Sequence, residues 1–265
     1  MKPGRSNGQP GRAADAFERR ASRAEALAPA SESGAAPLAF AAGLYRAQGA
    51  LAGAIEAVPL VGALETDLAR FAGGLAGVLR YAADNGPPGL AAEARARGDD
   101  GARLIEWWRG DRSGRGDYLA RALLRPYAEV LAAAGIRPEP VAQDESGCPF
   151  CTAPAWIAWR RTEPGESGAQ RFLGCGLCGG QWQFNRIRCA ACGEEDPHKQ
   201  AVFQSEKHPT VRLEACETCH QYVKSIDLTL NARAIAEVDD LSSLSMDLWA
   251  GEQGYTRLEP SIAGI

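Results

Sequence analysis

All eight cysteines of the chain fall into four Cys-x-x-Cys pairs, and these are the residues best suited to chemistry. A Cys-x-x-Cys turn directs two sulfurs towards one point and leaves backbone N–H groups free to bond the thiolates. Two such knuckles brought together make a tetrahedral cage of four sulfurs, which suits zinc or iron. The pairs are Cys148/Cys151, Cys175/Cys178, Cys189/Cys192 and Cys216/Cys219.

The spacing of the pairs indicates a tandem repeat. The first and second pairs begin 27 residues apart, and so do the third and fourth, which gives a period of 41 residues. We therefore expect repeats at 148–188 and 189–229, with one metal ion held by the first two pairs and another by the last two. Cross-brace pairing of the first pair with the third also respects the period. Cross-brace modules, however, usually place their middle pairs almost adjacent, unlike this chain.

The expected chemistry is binding rather than catalysis. A cage with four cysteine ligands has no open position for water or substrate, so hydrolytic metal catalysis is not expected. A structural ion would replace the core that each short repeat lacks. Redox dithiols would instead predict one reactive pair at a helix N-terminus in a βαβ unit. No catalytic residue and no cofactor-binding residue other than the metal ligands is predicted.

Short strands and knuckle turns must position these sulfurs. Residues 181–185 and 211–215 alternate polar and apolar side chains, as strands do. Gly179 and Gly193 directly follow the second cysteine of a pair, where a knuckle often needs left-handed backbone. His220, next to Cys219, is interpreted as a loop residue, with a supporting role beside the metal as the alternative.

The region before the cysteines has a helical composition. Ala, Leu, Arg and Glu dominate residues 35–137, and a helix is predicted from Asp117 until Gly135 ends it. Of the adjacent Trp107 and Trp108, one is expected in the core and one at its edge. A last helix is predicted over 240–250, with Leu241, Leu244 and Leu248 as its apolar stripe.

The predicted fold class is thus α plus small β. It comprises a helical N-terminal domain, tandem rubredoxin-like or zinc-ribbon repeats, and a C-terminal helix. We expect a weakly ordered tail at 1–34, in which residues 15–27 could form one marginal helix. A helical domain is expected at 35–137, a metal-binding domain at 146–230, and a C-terminal helix and tail at 231–265.

Charge and hydropathy narrow the possible partners and location. The chain has 29 Lys and Arg against 33 Asp and Glu, and residues 146–230 carry nine of each. This balance disfavours nucleic acid as a partner. No apolar run suits a signal peptide or a membrane span. We expect a cytoplasmic protein without membrane insertion, whose thiols are not disulfide-bonded.

The four knuckles CPFC, CGLC, CAAC and CETC, with FLGCGLCGGQWQFNRIRCAACG around the middle two, resemble the formate dehydrogenase accessory proteins of the FdhE family. Further similarity lies in VDDLSSLSMDLWAGEQGY at 238–255, in LARALLRPYAEVLA at 119–132 and, more weakly, in PLAFAAGLYRAQ from Pro37.

The resemblance implies a cytoplasmic maturation factor that binds the catalytic subunit of a respiratory formate dehydrogenase. It implies two rubredoxin-like metal sites on the eight cysteines, with iron favoured and zinc possible. An electron-transfer protein with Fe(Cys)4 sites is the alternative function, and a ribbon adaptor for nucleic acid is a third. Asp239, Asp240 and Asp247 are hypothesised as partner contacts, against a simpler interpretation as helix caps and solvated charge.

Overall fold

The computed structural model describes residues 12–98, 101–110, 112–139 and 147–264, and in these ranges six helices precede every strand. The five from residue 35 onwards lie where the composition predicts helix, and the first precedes that region. They are α1 (Ala13–Leu27), α2 (Ala35–Glu56), α3 (Leu64–Asn85), α4 (Pro88–Ala96), α5 (Gly101–Arg109) and α6 (Tyr118–Ala134).

Helix α6 begins and ends where its sequence predicts. The Asp117 carboxylate caps it by accepting a hydrogen bond from the Ala120 N–H at 2.8 Å. Gly135 ends it in the left-handed conformation at φ 69°. The helix continues through Pro126. Trp108 is buried against Tyr127 with their rings 5.3 Å apart, whereas Trp107 is half-buried, as expected for adjacent residues of a helix.

Helix α1 lies in the segment predicted to be a weakly ordered tail, and it covers the stretch 15–27 in which the sequence allowed one marginal helix. Phe17 is fully buried, with its ring 6.5 Å from the ring of Tyr45 on α2. Arg20 and Arg23 form ion pairs with carboxylates near the other end of the chain. Partners this distant in sequence order α1, and local composition does not reveal them. Residues 1–11 lie outside the described ranges.

The strands of both repeats join one sheet. Its order is β3-β2-β1-β6-β5-β4, and β7 adds to β6. Most neighbours are antiparallel, but β1 and β6 pair in parallel, with Ala158 opposite Ser225, and this pairing links the repeats. The strands are β1 (Ala155–Arg161), β2 (Gln170–Cys175), β3 (Gln181–Gln183), β4 (Gln200–Gln204), β5 (Val211–Cys216), β6 (Gln221–Asp227) and β7 (Thr256–Arg257).

The C-terminal helical segment is broken into three pieces. The short helix α7 (Ala236–Asp239) leads into a 3-10 turn at Asp240–Ser243 and then into α8 (Leu244–Glu252). Leu241 and Leu244 are buried as predicted. Leu248 is 59% exposed, so its assignment to the apolar stripe is wrong. Along α8 the buried face passes instead through Met246, Asp247 and Ala250, which leaves Leu248 on the solvent side.

One apolar core runs through the helical and sheet halves. It extends from Phe17 through Leu124 of α6 to Trp156 of β1 and Leu213 of β5. The predicted fold class is confirmed, with helices first, a sheet bearing two cysteine clusters and a C-terminal helix. The halves nevertheless share this core, although the sequence suggested separate domains at 35–137 and 146–230. Among the described helices, none has the length and apolar character needed to cross a membrane.

Candidate metal centres

The eight sulfurs gather into two groups of four. Within each group the ligand atoms all lie within 4.8 Å of one another. The first pair of the sequence meets the second, and the third meets the fourth, so the arrangement is the sequential one. Cluster 1 comprises Cys148, Cys151, Cys175 and Cys178, and cluster 2 comprises Cys189, Cys192, Cys216 and Cys219.

The sulfur spacing fits a tetrahedral metal site. In cluster 1 the Cys148–Cys178 and Cys151–Cys175 sulfurs are 3.6 and 3.4 Å apart. In cluster 2 the Cys189–Cys219 and Cys192–Cys216 sulfurs are both 3.8 Å apart. Metal–sulfur bonds of about 2.3 Å give a tetrahedron with edges of about 3.8 Å, whereas a disulfide needs about 2.05 Å. Each cluster can therefore accommodate one tetrahedral ion.

The residue after the second cysteine of every knuckle is left-handed. Gly179 and Gly193 have φ of 67° and 76°, as their position in the sequence predicts. Thr152 and His220 take the same role with φ of 64° and 53°. The role of His220 is thus in the backbone, where its N–H donates to the Cys216 carbonyl at 2.9 Å. This role was not predicted at Thr152 and His220, because residues other than glycine adopt left-handed backbone only rarely.

Backbone N–H groups turn towards the sulfurs in both clusters. The N–H groups of Leu177 and Cys178 each lie 3.4 Å from the Cys175 sulfur. In cluster 2, the Ala191 N–H lies 3.3 Å from the Cys189 sulfur. Such donors stabilise thiolates, which are the form that binds metal.

The two clusters differ in exposure. Every cysteine of cluster 1 is at most 4% exposed. In cluster 2, Cys192 is exposed and Cys219 is half-buried. Cluster 1 therefore lies within the shared core, whereas cluster 2 opens to the surface.

One thiol in each cluster has a lowered pKa, whereas others in the same cluster have a raised one. Hydrogen bonds from Cys151, Cys175 and Cys178 lower the pKa of Cys148. Burial raises the pKa of Cys175. In cluster 2, burial opposes ionisation of Cys216, but backbone hydrogen bonds from Cys219 and Thr218 bring its pKa to about 7. Filling either cluster must release protons, so metal affinity rises with pH.

A buried arginine approaches cluster 1 from the helical side. Arg112 is 2% exposed, and its Nη1 donates to the Cys151 carbonyl at 2.7 Å. Its Nε donates to the Trp108 carbonyl at 2.6 Å, and its guanidinium lies 4.2 Å from the centre of the Trp108 ring. Burial lowers the pKa of Arg112, and the nearby Cys151 and Cys175 thiolates act in the opposite direction. No sequence pattern predicted this role for Arg112.

An ion-pair ring lies next to the second knuckle of cluster 1. Arg20 bonds Glu129 at 2.8 Å, Arg125 bonds Glu129 at 2.7 Å, and both arginines also bond Glu237. A Cβ placed on Gly179 would lie 3.4 Å from both Arg20 and Glu129. This ring therefore joins α1, α6 and α7 beside the knuckle.

The aspartates proposed as partner contacts are buried within the chain, which corrects that hypothesis and its alternative of solvated charge. Lys224 on β6 bonds Asp240 at 2.9 Å and Asp247 at 2.5 Å. Arg257 bonds the same two carboxylates at 2.9 and 3.0 Å. Asp239 is 8% exposed and pairs with Arg23. These carboxylates bind the C-terminal helices to the sheet and to α1, so they are not available to a partner.

Comparison with known proteins relates the chain to one family. The FdhE C-terminal domain model matches residues 187–262, which contain all of cluster 2. A Protein FdhE homolog of Rhizobium meliloti is 29% identical over 94% of this chain and 90% of that protein. The chain is similar to the FdhE family over nearly its whole length. A family member from Pseudomonas aeruginosa is 30% identical over 67% of this chain.

The family similarity includes the fold. The crystal structure of the FdhE protein from Pseudomonas aeruginosa superposes with a TM-score of 0.67, at 24% identity over 97% of both chains. Some sequence alignments are shorter. They span 41% of the Aquifex aeolicus FdhE homolog and 61% of the Pseudomonas aeruginosa homolog.

Proposed function

We propose that the eight cysteines bind two metal ions, one in each cluster, and that the chain is an accessory factor for formate dehydrogenase. In this role it binds the catalytic subunit in the cytoplasm and is needed for enzyme activity. The observation that carries the proposal is the pair of clusters, each with four cysteine sulfurs, in a chain similar to FdhE proteins. A four-cysteine site supports folding and binding, but it leaves no coordination position for substrate.

The identity of the ion is part of the proposal. Zinc and iron both accept four thiolates in a tetrahedron. The family resemblance favours iron in the cell, with zinc as the competing ion. Metal analysis of protein purified without oxygen tests this directly, and two ions per chain are expected. A content near one ion or none would contradict the proposed ligand set.

Capture of the catalytic subunit tests the proposed function. Cells lacking the chain are expected to contain the subunit but to oxidise little formate. The purified chain should capture the subunit, and the Cys175→Ser, Cys178→Ser double variant should capture less. Ser167→Ala is the matched control, because Ser167 is exposed in the turn between β1 and β2. Undiminished capture and full rescue by the double variant would show that the metal sites are not needed.

Electron transfer is a second candidate, favoured by the exposure of cluster 2. Cys192 is at the surface, which would give electrons a short path to an iron ion held there. This function predicts a coloured ferric form and reversible reduction at cluster 2. A colourless native protein with two zinc ions would exclude it.

A further inference from the structure

A cavity of about 220 Å³ lies beside cluster 2 and is rich in arginine. Cys189 and Cys216 contribute to its wall, and Glu214 is the one carboxylate among its described lining residues. Its arginines come from β1, β2, β5 and the chain between β3 and β4. They are Arg160, Arg171, Arg186, Arg188 and Arg212.

Three of these arginines have partners within the chain. Arg171 is 5% exposed and bonds Glu214 at 2.8 Å. Arg212 lies 3.5 Å from an Asp227 oxygen. Arg188 lies 3.8 Å from Glu195, and a Cβ on Gly193 of the knuckle would be 3.4 Å from its guanidinium. Arg188 is therefore placed to balance the negative charge that a filled cluster 2 would carry.

Arg160 and Arg186 differ from the other three. Within the described ranges, neither side chain has a hydrogen-bond or ion-pair partner. Arg160 is half-buried on β1, in register with Arg171 on β2 and with Asp227 on β6. Arg171 already bonds Glu214, and Asp227 already pairs with Arg212, so the charge of Arg160 is left for the anion of a ligand.

The rim of the cavity combines exposed apolar residues with an open strand edge, which are features of sites that bind extended peptides. Ile187 is 46% exposed and Val202 is 55% exposed, and both line the cavity. Val202 belongs to β4, which pairs only with β5 in the described sheet and so leaves one edge open. A free phosphate would use the guanidinium groups alone. An extended acidic segment would use the arginines, the apolar rim and the open edge together.

We propose that this cavity docks an extended acidic segment of a partner protein, with carboxylates bound by Arg160 and Arg186. Identification of that partner as the formate dehydrogenase subunit rests on the proposed function. Docking at this position would place the partner next to cluster 2, the more exposed of the two metal sites.

The test uses the full metal-loaded chain and a capped hexapeptide that alternates glutamate and valine, with binding measured by calorimetry. We expect the peptide to bind, and the Arg160→Gln, Arg186→Gln double variant to bind it at least about tenfold more weakly. Arg80→Gln is the control, since it removes an exposed arginine of α3 and should leave binding unchanged. Raising salt to about 1 M should weaken binding, because the screening length falls to about 3 Å.

Three results would overturn the proposal. They are no binding of the glutamate peptide, equal binding by the double variant, or equal binding of a glutamine–valine peptide. Inorganic phosphate is tested separately, and binding of phosphate without the peptide would show a small-anion site instead. Metal content of each variant is measured in parallel. Since the peptide assay needs no formate dehydrogenase, its failure is distinguishable from a failed subunit capture.

Discussion

The guanidinium of Arg112 donates a hydrogen bond of 2.7 Å to the carbonyl oxygen of Cys151, one of the four cysteines of cluster 1. Among the described residues, Arg112 donates to three backbone carbonyls, and no carboxylate pairs with it. A buried cation is costly unless a negative charge balances it. Four thiolates around a divalent ion carry net negative charge, so a filled cluster 1 would balance Arg112.

We therefore expect Arg112→Gln to weaken metal binding at cluster 1 by about 10- to 100-fold, the usual effect of losing a group that supports metal ligands. Cluster 2 serves as an internal reference and should keep its affinity. Chelator competition on the variant, compared with Arg80→Gln, measures the difference. Equal weakening at both clusters would mean that the substitution acts through general unfolding.

Chelators should empty cluster 2 before cluster 1. Cys192 is exposed, whereas the sulfurs of cluster 1 lie within the core, so a chelator reaches cluster 2 without opening the fold. A time course should show two phases of metal release. The Cys192→Ser variant should lose the fast phase, and Cys148→Ser should lose the slow one. The reverse assignment would contradict the exposure argument.

Loss of metal from cluster 1 should destabilise the helices as well as the sheet. Both belong to the same apolar core, in which Cys148 lies with Phe17 and Leu124. For the Cys148→Ser, Cys151→Ser variant, we expect one thermal transition at a lower Tm, seen alike by circular dichroism and tryptophan fluorescence. A helical signal that outlasts the melting of the sheet would show two independent units.

The buried charges around Lys224 should contribute strongly to stability. Lys224→Met leaves Asp240 and Asp247 with one cation instead of two, and breaking a buried pair in this way costs about 3–5 kcal/mol. Denaturant unfolding measures the loss. Arg46→Gln at the exposed pair with Glu25 is the control and should change little.

The same cluster predicts sensitivity to acid. Burial disfavours the charge of Asp240, but Arg257 and Lys224 outweigh it and lower its pKa. Because the folded pKa lies below the unfolded value of about 3.9, this stabilisation is present above about pH 4 and declines as pH falls further. The difference in unfolding free energy between wild type and Lys224→Met should therefore shrink below about pH 4. A difference that stays constant to pH 2 would contradict this electrostatic origin.

The cysteine spacing was enough to predict the grouping of the sulfurs. The 41-residue repeat and the Cys-x-x-Cys turns can both be seen in the sequence without knowledge of the fold. Helix α6 was also predictable, since the residues that cap it, Asp117 and Gly135, directly flank its two ends in the sequence. The parallel pairing of β1 with β6 could not be predicted, because no local sequence pattern specifies which distant strands pair. Asp240 was interpreted as a partner contact, or as a helix cap and solvated charge, because its partner Lys224 is brought to it only when the chain folds.

The ion pair between Arg20 and Glu237 spans 217 residues of the chain, and this separation has a consequence for protein synthesis. The four cysteines of cluster 1 leave the ribosome before Glu237 does. At about 5–20 residues per second, the interval is on the order of several seconds. The ion-pair ring beside Gly179 cannot close during that interval. We expect the ion of cluster 1 to enter the nascent chain while its sulfurs are still accessible, so that metal supply during translation determines which ion becomes enclosed.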